Sequence, residues 1–174
     1  WGATSTTLMS KLSRTKRLRV YADTSAIGGC YDPEFAMDSL RLIESARRGR
    51  LVLLLSDIVI RELEGAPKHV RDILPSLPPA AVERVELTEE ILDLRNAYLE
   101  EKILGPRWAD DAAHVAAATV ARADAIVSWN FAHIVRLDKM KAYNQINLLK
   151  GYGILTIVSP REVLPDEQEK DEEV

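Results

Sequence analysis

Short apolar runs alternate along this chain with longer segments in which apolar residues recur at helical spacing. Five runs are predicted to be strands: residues 18–22, 51–55, 125–128 and 154–158, with 82–87 as a weaker edge strand. Helices are predicted over residues 34–48, 56–63, 88–102, 110–123 and 132–149, with a short helix and loop over 65–80 and a short helix after Pro160. Because strands and helices alternate, the pattern predicts an α/β domain with a mostly parallel sheet of about five strands.

The predicted fold occupies one domain, residues 18–165, with a tail at each end. The chain has 174 residues, a length typical of a single domain with a sizeable core. Residues 1–17 form a basic arm, interpreted either as solvated or as contacting phosphate. Residues 166–174 are predicted to be a disordered acidic tail. Residues 1–8 are set aside in predicting the fold, because a start at Trp1 is consistent with residues added to the natural sequence.

Composition is that of a soluble globular protein, with 47% hydrophobic and 29% charged residues. The formal net charge is −4, but residues 165–174 hold six acids and one Lys, so the rest of the chain is almost neutral and its charge indicates no partner. The single cysteine, Cys30, excludes an internal disulfide and predicts a reducing, cytoplasmic compartment. No apolar run approaches the ~18–20 residues of a membrane span and no signal peptide is recognisable, so no membrane association is expected.

Four polar residues are predicted to reach one edge of the sheet. They are Asp23 at the end of the first strand, Glu62 on the helix after the second, Asp111 in the first turn of the helix before the fourth, and Asn130 directly after the fourth. Because parallel neighbours lie ~4.8 Å apart, side chains at their carboxyl ends can meet. Carboxylates this close repel one another unless a cation is present, and hard oxygen ligands suit Mg²⁺ or Mn²⁺. The pattern predicts that Asp23 is the first of several acids that converge on a divalent metal.

Several of these residues have alternative structural interpretations. Asp23 and Asn130 belong to residue types that are common in turns. Glu62 lies near the inward-facing stripe of its helix, with Asp57 and Glu64 as rival acids on the same segment.

The helix that carries Asp111 raises similar alternatives. Asp110 and Asp111 both suit a helix N-terminus, so Asp110 is predicted as the cap and Asp111 as the ligand. His114 shares a helix face with Asp111 and is interpreted as packed beside the site, because too few His and Cys residues accompany it for zinc. Trp129 and Phe131 flank the predicted site and are candidates to stack bases, although core packing is the commoner role. Five cations are candidates for a phosphate-attracting rim, with scattered surface charge as the alternative: Arg47, Arg48, Arg50, Lys139 and Lys141.

Five segments in order resemble the motifs of the PIN domain family. They are Val-Tyr-Ala-Asp-Thr-Ser at 20–25, Ser-Asp-Ile-Val-Ile-Arg-Glu-Leu at 56–63, Asp-Ala-Ala-His-Val-Ala-Ala-Ala-Thr at 111–119, Ser-Trp-Asn-Phe-Ala-His-Ile at 128–134, and the closing segment 151–164. The resemblance covers about residues 18–165 and implies a three-layer α/β/α sandwich.

The resemblance also implies a function. It implies an Mg²⁺- or Mn²⁺-dependent endoribonuclease of the kind found in VapC-like toxins, acting as a homodimer on RNA and opposed by an antitoxin protein. Its matching positions make Asp23, Glu62 and Asp111 catalytic metal ligands. Asn130 stands where many members carry a further acid, so it is expected to ligate without adding charge, and a second metal is in doubt. Four residues are expected to support the site or bind substrate: Thr24, Ser25, Ser128 and Asp110.

Other function classes fit the motifs less well. A receiver-type signalling domain needs an aspartate after the third strand and a lysine before the last Pro, and Leu87-Thr88 and Ser159-Pro160 supply neither. A haloacid-dehalogenase-like phosphatase needs an acid where Ser25 stands, and no phosphate-binding glycine motif is present. The remaining alternative is a weakly active or non-catalytic PIN-fold module that binds RNA or a protein partner.

Overall fold

The structure, a computed structural model, describes residues 16–164. Most of the predicted basic arm and the predicted acidic tail at 166–174 lie outside the described residues, so those predictions stay as they are. Within residues 16–164, the helices lack the combined length and apolar character that crossing a membrane requires.

The predicted α/β architecture is confirmed, and the five strands form one wholly parallel sheet in a three-layer α/β/α sandwich. The strands are β1 Leu18–Ala22, β2 Leu51–Ser56, β3 Val82–Val85, β4 Ala125–Val127 and β5 Thr156–Val158. The helices are α1 Thr24–Gly28, α2 Ala36–Arg47, α3 Asp57–Glu64, α4 Lys68–Arg71, α5 Glu89–Glu100, α6 Ala109–Val120 and α7 Leu137–Leu149. The order across the sheet is β3-β2-β1-β4-β5.

Strand β1 lies at the centre of the sheet because its residues are apolar enough to be covered on both faces. Val20, Tyr21 and Ala22 are fully buried, and Tyr21 pairs with Leu54 of β2 and Ile126 of β4. From β1 the chain moves outward to β2 and β3, then crosses back to β4 and β5. Parallel crossovers are right-handed, so the helices of the two halves cover opposite faces and a crevice forms at the carboxyl ends of β1 and β4. Ligands of α/β proteins bind at such a crevice.

Local hydrogen bonds change three predicted element boundaries. No helix was predicted between Asp23 and residue 34, but α1 forms there, because Asp23 caps this helix by accepting the backbone N–H of Ala26 at 3.0 Å. The last long helix, α7, starts later than predicted, because the carbonyl oxygen of Asn130 accepts the N–H of Ile134 at 3.1 Å and holds a turn there. After β5 the chain forms turns up to residue 164 rather than the predicted short helix.

Gly29, just after α1, lies where no Cβ atom fits. A Cβ there would be 2.5 Å from Ser39 Oγ and 2.7 Å from Trp129 Nε1, two atoms that are themselves hydrogen bonded at 2.9 Å. Trp129 is only 9% exposed, so its indole has little freedom to move away. We expect Gly29→Ala to lower the free energy of unfolding by about 1–3 kcal/mol, measured by chemical denaturation.

Gly28→Ala is the matched control for this prediction. Gly28 has helical backbone angles, and a Cβ built on it meets nothing within 4 Å. The substitution is expected to leave stability unchanged or to raise it by up to ~1 kcal/mol, because alanine restricts the unfolded chain. Equal losses at the two glycines would locate the effect in α1 itself and contradict the proposed clash with Trp129.

Candidate functional site

The three predicted acids reach the carboxyl edge of the sheet from three different elements. Asp23 follows β1 directly, Glu62 lies in the second turn of α3, and Asp111 lies in the first turn of α6. Helix α3 packs against both α1 and α6, which brings these elements together. His114 of α6 lies among them, 3% exposed, and the charges of all three acids act on its imidazole.

Asp23 is almost fully enclosed, with 4% of its surface exposed, and its carboxylate accepts three hydrogen bonds from the chain itself. Its Oδ1 accepts the hydroxyl of Ser25 at 2.7 Å and the N–H of Ala26 at 3.0 Å, and its Oδ2 accepts the hydroxyl of Ser128 at 2.5 Å. Burial raises the pKa of Asp23, while the charge of His114 and these hydrogen bonds act in the opposite direction. The carboxylate is therefore held rigidly, at some cost to its ionised form.

The two serines also join the loops that follow β1 and β4. Their Oγ atoms lie 3.3 Å apart. Ser25 Oγ accepts the backbone N–H of Trp129 at 2.8 Å, and Ser128 Oγ accepts that of Asn130 at 2.9 Å. The predicted supporting roles of these serines thus have a structural basis, since both contact Asp23.

Glu62 is held by a chain of hydrogen bonds that runs back into the core. Its Oε2 accepts the hydroxyl of Thr24 and lies 3.1 Å from Nε2 of His114. The other imidazole nitrogen, Nδ1, lies 2.8 Å from the hydroxyl of Tyr21, which lies 2.6 Å from Oγ of Ser56. The imidazole is thus fixed at both nitrogens, and it in turn fixes the orientation of the carboxylate.

The pKa shifts of Glu62 and His114 show the effect of this contact. Burial alone would raise the pKa of Glu62, but the hydrogen bond and charge of His114 and the hydroxyl of Thr24 hold it below its ordinary value. Burial alone would lower the pKa of His114, but the bond to Glu62 and the charges of Asp23, Glu62 and Asp111 raise it. The imidazolium form is therefore favoured, and it places a positive charge among the three acids.

Asp111 has a different histidine as its partner. Its Oδ2 lies 2.7 Å from Nδ1 of His133, whose ring packs on Trp108 with the ring centroids 4.1 Å apart. The backbone N–H of His133 donates to Oδ1 of Asn130 at 2.9 Å, and its carbonyl accepts the hydroxyl of Tyr143 at 2.9 Å. The amide oxygen of Asn130, predicted as a metal ligand, is therefore engaged in a local turn, which was its alternative interpretation.

The predicted capping role of Asp110 is wrong. The residue before α6 is Trp108, which makes no side-chain cap, and Asp110 lies within the first helical turn. Its carboxylate is exposed and pairs with Arg61 at 3.3 Å. Asp110 therefore lies on the exposed side of α6, whereas the residues from Ala112 to Thr119 are buried.

Among the three acids predicted as alternatives on α3, Glu62 is the one that contacts His114. Asp57 pairs with Arg84 at 2.8 Å instead, and Glu64 is exposed. The helical spacing decides this, since only Glu62 lies on the face of α3 that is directed toward α6.

The two aromatic residues after β4 have different environments. Trp129 is buried, stacks on Phe35 with the ring centroids 4.3 Å apart, and donates its indole N–H to Ser39. Phe131 is 49% exposed. Core packing therefore accounts for Trp129, while Phe131 stays a candidate to stack a base.

Three of the five cations predicted to form a basic rim lie away from this edge. Arg47, Arg48 and Arg50 lie between the end of α2 and the start of β2, which is the opposite edge of the sheet. The ammonium group of Lys139 donates to the carbonyl of Ile103. Lys141 is exposed on α7, so its predicted role stays a prediction.

The carboxylates do not form a ready metal site as they are placed. Within the described part of the chain, no three His, Cys, Asp or Glu side chains are arranged to hold an ion. The donor atoms are hard oxygens that suit Mg²⁺ or Mn²⁺, and in this structure Asp23, Glu62 and Asp111 are each hydrogen bonded to donors of the chain. The metal site stays a prediction.

No protein-family model matches the chain, and no curated protein matches it. The similarity to the PIN family therefore depends on the five motifs alone. Those motifs do include the residues that the fold brings to the carboxyl edge.

Sequence reasoning missed three residues of the site. Tyr21 lies in an apolar run and carries no signal of a polar role. His133 follows Asn130 by three positions, as His114 follows Asp111, and this spacing was the available signal. Ser56 caps α3 by accepting the N–H of Val59 at 3.3 Å. Its contact with Tyr21 was not predicted.

Proposed function

We propose that this chain is a divalent-cation-dependent endoribonuclease that hydrolyses RNA phosphodiester bonds at the carboxyl edge of its sheet. The observation that carries the proposal is that Asp23, Glu62 and Asp111, far apart in sequence, all reach the carboxyl edge of the sheet, where Glu62 lies 3.1 Å from the buried imidazole of His114. They do so beside the crevice at the ends of β1 and β4, where α/β proteins bind ligands. The PIN-like motifs contain the same residues.

Hydroxyl groups at the same place suit an anionic substrate. Thr24, Ser25 and Ser128 each donate to one of the site carboxylates. A hydroxyl can rotate to donate to a phosphate oxygen instead. In the proposed reaction these three residues position the phosphate, and Glu62, held ionised by His114, accepts a hydrogen bond from the attacking water.

The proposal includes a cation because the site and its substrate are both negatively charged. Three carboxylates and an RNA phosphate concentrate more negative charge than one imidazolium neutralises. Asp23, Glu62 and Asp111 would hold a Mg²⁺ or Mn²⁺ ion, which would supply this neutralisation and Lewis acidity. Asn130 adds no charge where many PIN proteins carry an acid, so the proposal requires only one cation.

A second candidate function is a non-catalytic module that binds RNA or a protein partner. It is favoured by the hydrogen bonds that already occupy each carboxylate and by the absence, within residues 16–164, of a three-residue metal group. The two functions differ in whether RNA is cut or only bound.

The test is cleavage of a single-stranded RNA of mixed sequence, followed on denaturing gels. Cleavage is expected with Mn²⁺ or Mg²⁺ and none with EDTA, and Glu62→Gln is expected to lower the rate by roughly 10²-fold, because the carboxylate charge is lost. Glu83→Gln is the matched control, since Glu83 lies on β3 and pairs with Arg19. Binding without cleavage under all conditions would favour the module.

The resemblance also supports a biological role. We propose that the chain is the toxin of a toxin–antitoxin pair, working as a homodimer in the reducing cytoplasm, where Cys30 stays a thiol. A neighbouring reading frame for a small DNA-binding protein is expected. Sedimentation at equilibrium measures the oligomeric state.

A further inference from the structure

A stack of three side chains links the protein surface to Asp111. The guanidinium carbon of Arg107 lies 4.5 Å from the ring centroid of Trp108. The indole in turn packs on the imidazole of His133 with the centroids 4.1 Å apart and the rings inclined at 44°. His133 then contacts Asp111 through Nδ1 at 2.7 Å. An exposed cation is thereby attached to one of the three site acids through two rings.

Arg107 differs from the other cation that the structure links to the site. Arg61 is adjacent to Glu62 in sequence but pairs with the carboxylate of Asp110 at 3.3 Å. Arg107 is exposed, and its side chain has no carboxylate partner within residues 16–164. Its charge is therefore available to an anion that approaches the carboxyl edge.

The chemistry of the stack indicates which anion. The planar guanidinium fork matches two oxygens of a phosphate, and the indole beneath it restricts its orientation, so less conformational freedom is lost on binding. An RNA strand entering an acidic crevice is repelled unless a cation holds its backbone nearby. We propose that Arg107, supported by Trp108, binds a backbone phosphate of the RNA next to the bond that is cut. This inference rests on the proposed function.

The experiment measures RNA binding without cleavage. A fluorescently labelled single-stranded RNA is titrated with the full chain in EDTA, by anisotropy, between 50 and 200 mM salt, concentrations in the range where phosphate contacts are resolved. Arg107→Ala is expected to weaken binding by roughly three- to tenfold at low salt and to reduce the slope of log K against log salt by about 0.7, the value for one contact with a single strand. Arg107→Lys, which keeps the charge and loses the fork, is expected to be intermediate.

Lys150→Ala is the matched control. Lys150 is an exposed cation between α7 and β5, at the opposite edge of the sheet, and its loss changes the net charge equally. It is expected to bind RNA as the wild type does. Unchanged affinity and slope in Arg107→Ala, an equal loss in Lys150→Ala, or a wild type that does not bind RNA would each overturn the assignment.

The same measurements separate this inference from the nuclease proposal. Weakened binding in Arg107→Ala together with no cleavage by the wild type in Mn²⁺ leaves the phosphate contact standing and removes the nuclease. Cleavage by the wild type together with normal RNA binding in Arg107→Ala supports the nuclease and removes the phosphate contact.

Discussion

Asp23→Asn is expected to lower the rate of RNA cleavage by roughly 10²-fold or more while the fold is retained. Asparagine has the size of aspartate, and its amide oxygen can still accept the N–H of Ala26 and cap α1. The hydroxyl of Ser128, which donates to Oδ2 at 2.5 Å, can accept from the new amide instead. What is lost is the negative charge at the end of β1. Single-turnover cleavage in Mn²⁺ measures the effect.

The stability of the same variant is expected to change in the other direction. Burial raises the pKa of Asp23 above its ordinary value of 3.8, so the folded state holds the proton more tightly than the unfolded state. Stability from this residue is therefore present below pH 3.8 and is lost as the pH rises through the folded-state pKa. Asparagine does not ionise, so Asp23→Asn removes this pH-dependent loss of stability. Urea denaturation is expected to show a variant at least as stable as the wild type at pH 7, with the difference shrinking toward pH 4.

Asp124→Asn is the matched control, because it makes the same replacement of an aspartate by an asparagine away from the site. Asp124 lies just before β4, at the opposite edge, where its carboxylate accepts the backbone N–H of Arg19 at 2.7 Å. This variant is expected to cleave RNA as the wild type does. Wild-type rates in Asp23→Asn would contradict the role given to the residue after β1.

His114→Leu is expected to lower the free energy of unfolding by about 2–4 kcal/mol. Leucine fills much of the space but cannot bond to Glu62 or to Tyr21, so a half-buried carboxylate loses one of its two donors and a buried phenol loses one partner. Cleavage is expected to fall as well, because Glu62 is no longer oriented from the core. Chemical denaturation gives the stability, and cleavage is measured below the unfolding transition.

Tyr21→Phe separates the two contacts of the imidazole. It removes the hydroxyl between His114 and Ser56 but leaves the bond from His114 to Glu62. A loss of about 1–2 kcal/mol is expected, with a smaller effect on cleavage than in His114→Leu. The double variant is expected to lose less than the sum of the two, because they share one hydrogen bond. Full additivity, or a His114→Leu protein as stable as the wild type, would contradict the hydrogen-bond chain.

Hydrophobic patterning predicted the fold because a parallel sheet requires long apolar runs in its strands. Strands covered on both faces must be apolar throughout, so the runs at 18–22 and 51–55 correspond to β1 and β2 almost residue for residue. Alternation with helices made the sheet parallel, and a parallel sheet places all strand ends of one kind at one edge. That Asp23 and Ser128 share an edge therefore follows from the sequence. The starts of α1 and α7 were not predicted from the sequence, because each depends on a single side-chain or turn hydrogen bond.

The partners of the acids were decided by the tertiary structure alone. Tyr21 and His114 are 93 positions apart, and Asp23 and Ser128 are 105 apart, so no local pattern relates them. Contact between Tyr21 and His114 depends on how α6 packs over the sheet, and contact between Asp23 and Ser128 depends on the pairing register of β1 with β4. The chain's sequence determined which acids arrive at the carboxyl edge. Packing decided that Glu62 meets the buried His114 there and that Asp23 meets Ser128, because a buried carboxylate must find its hydrogen bonds among the groups that the fold brings within reach.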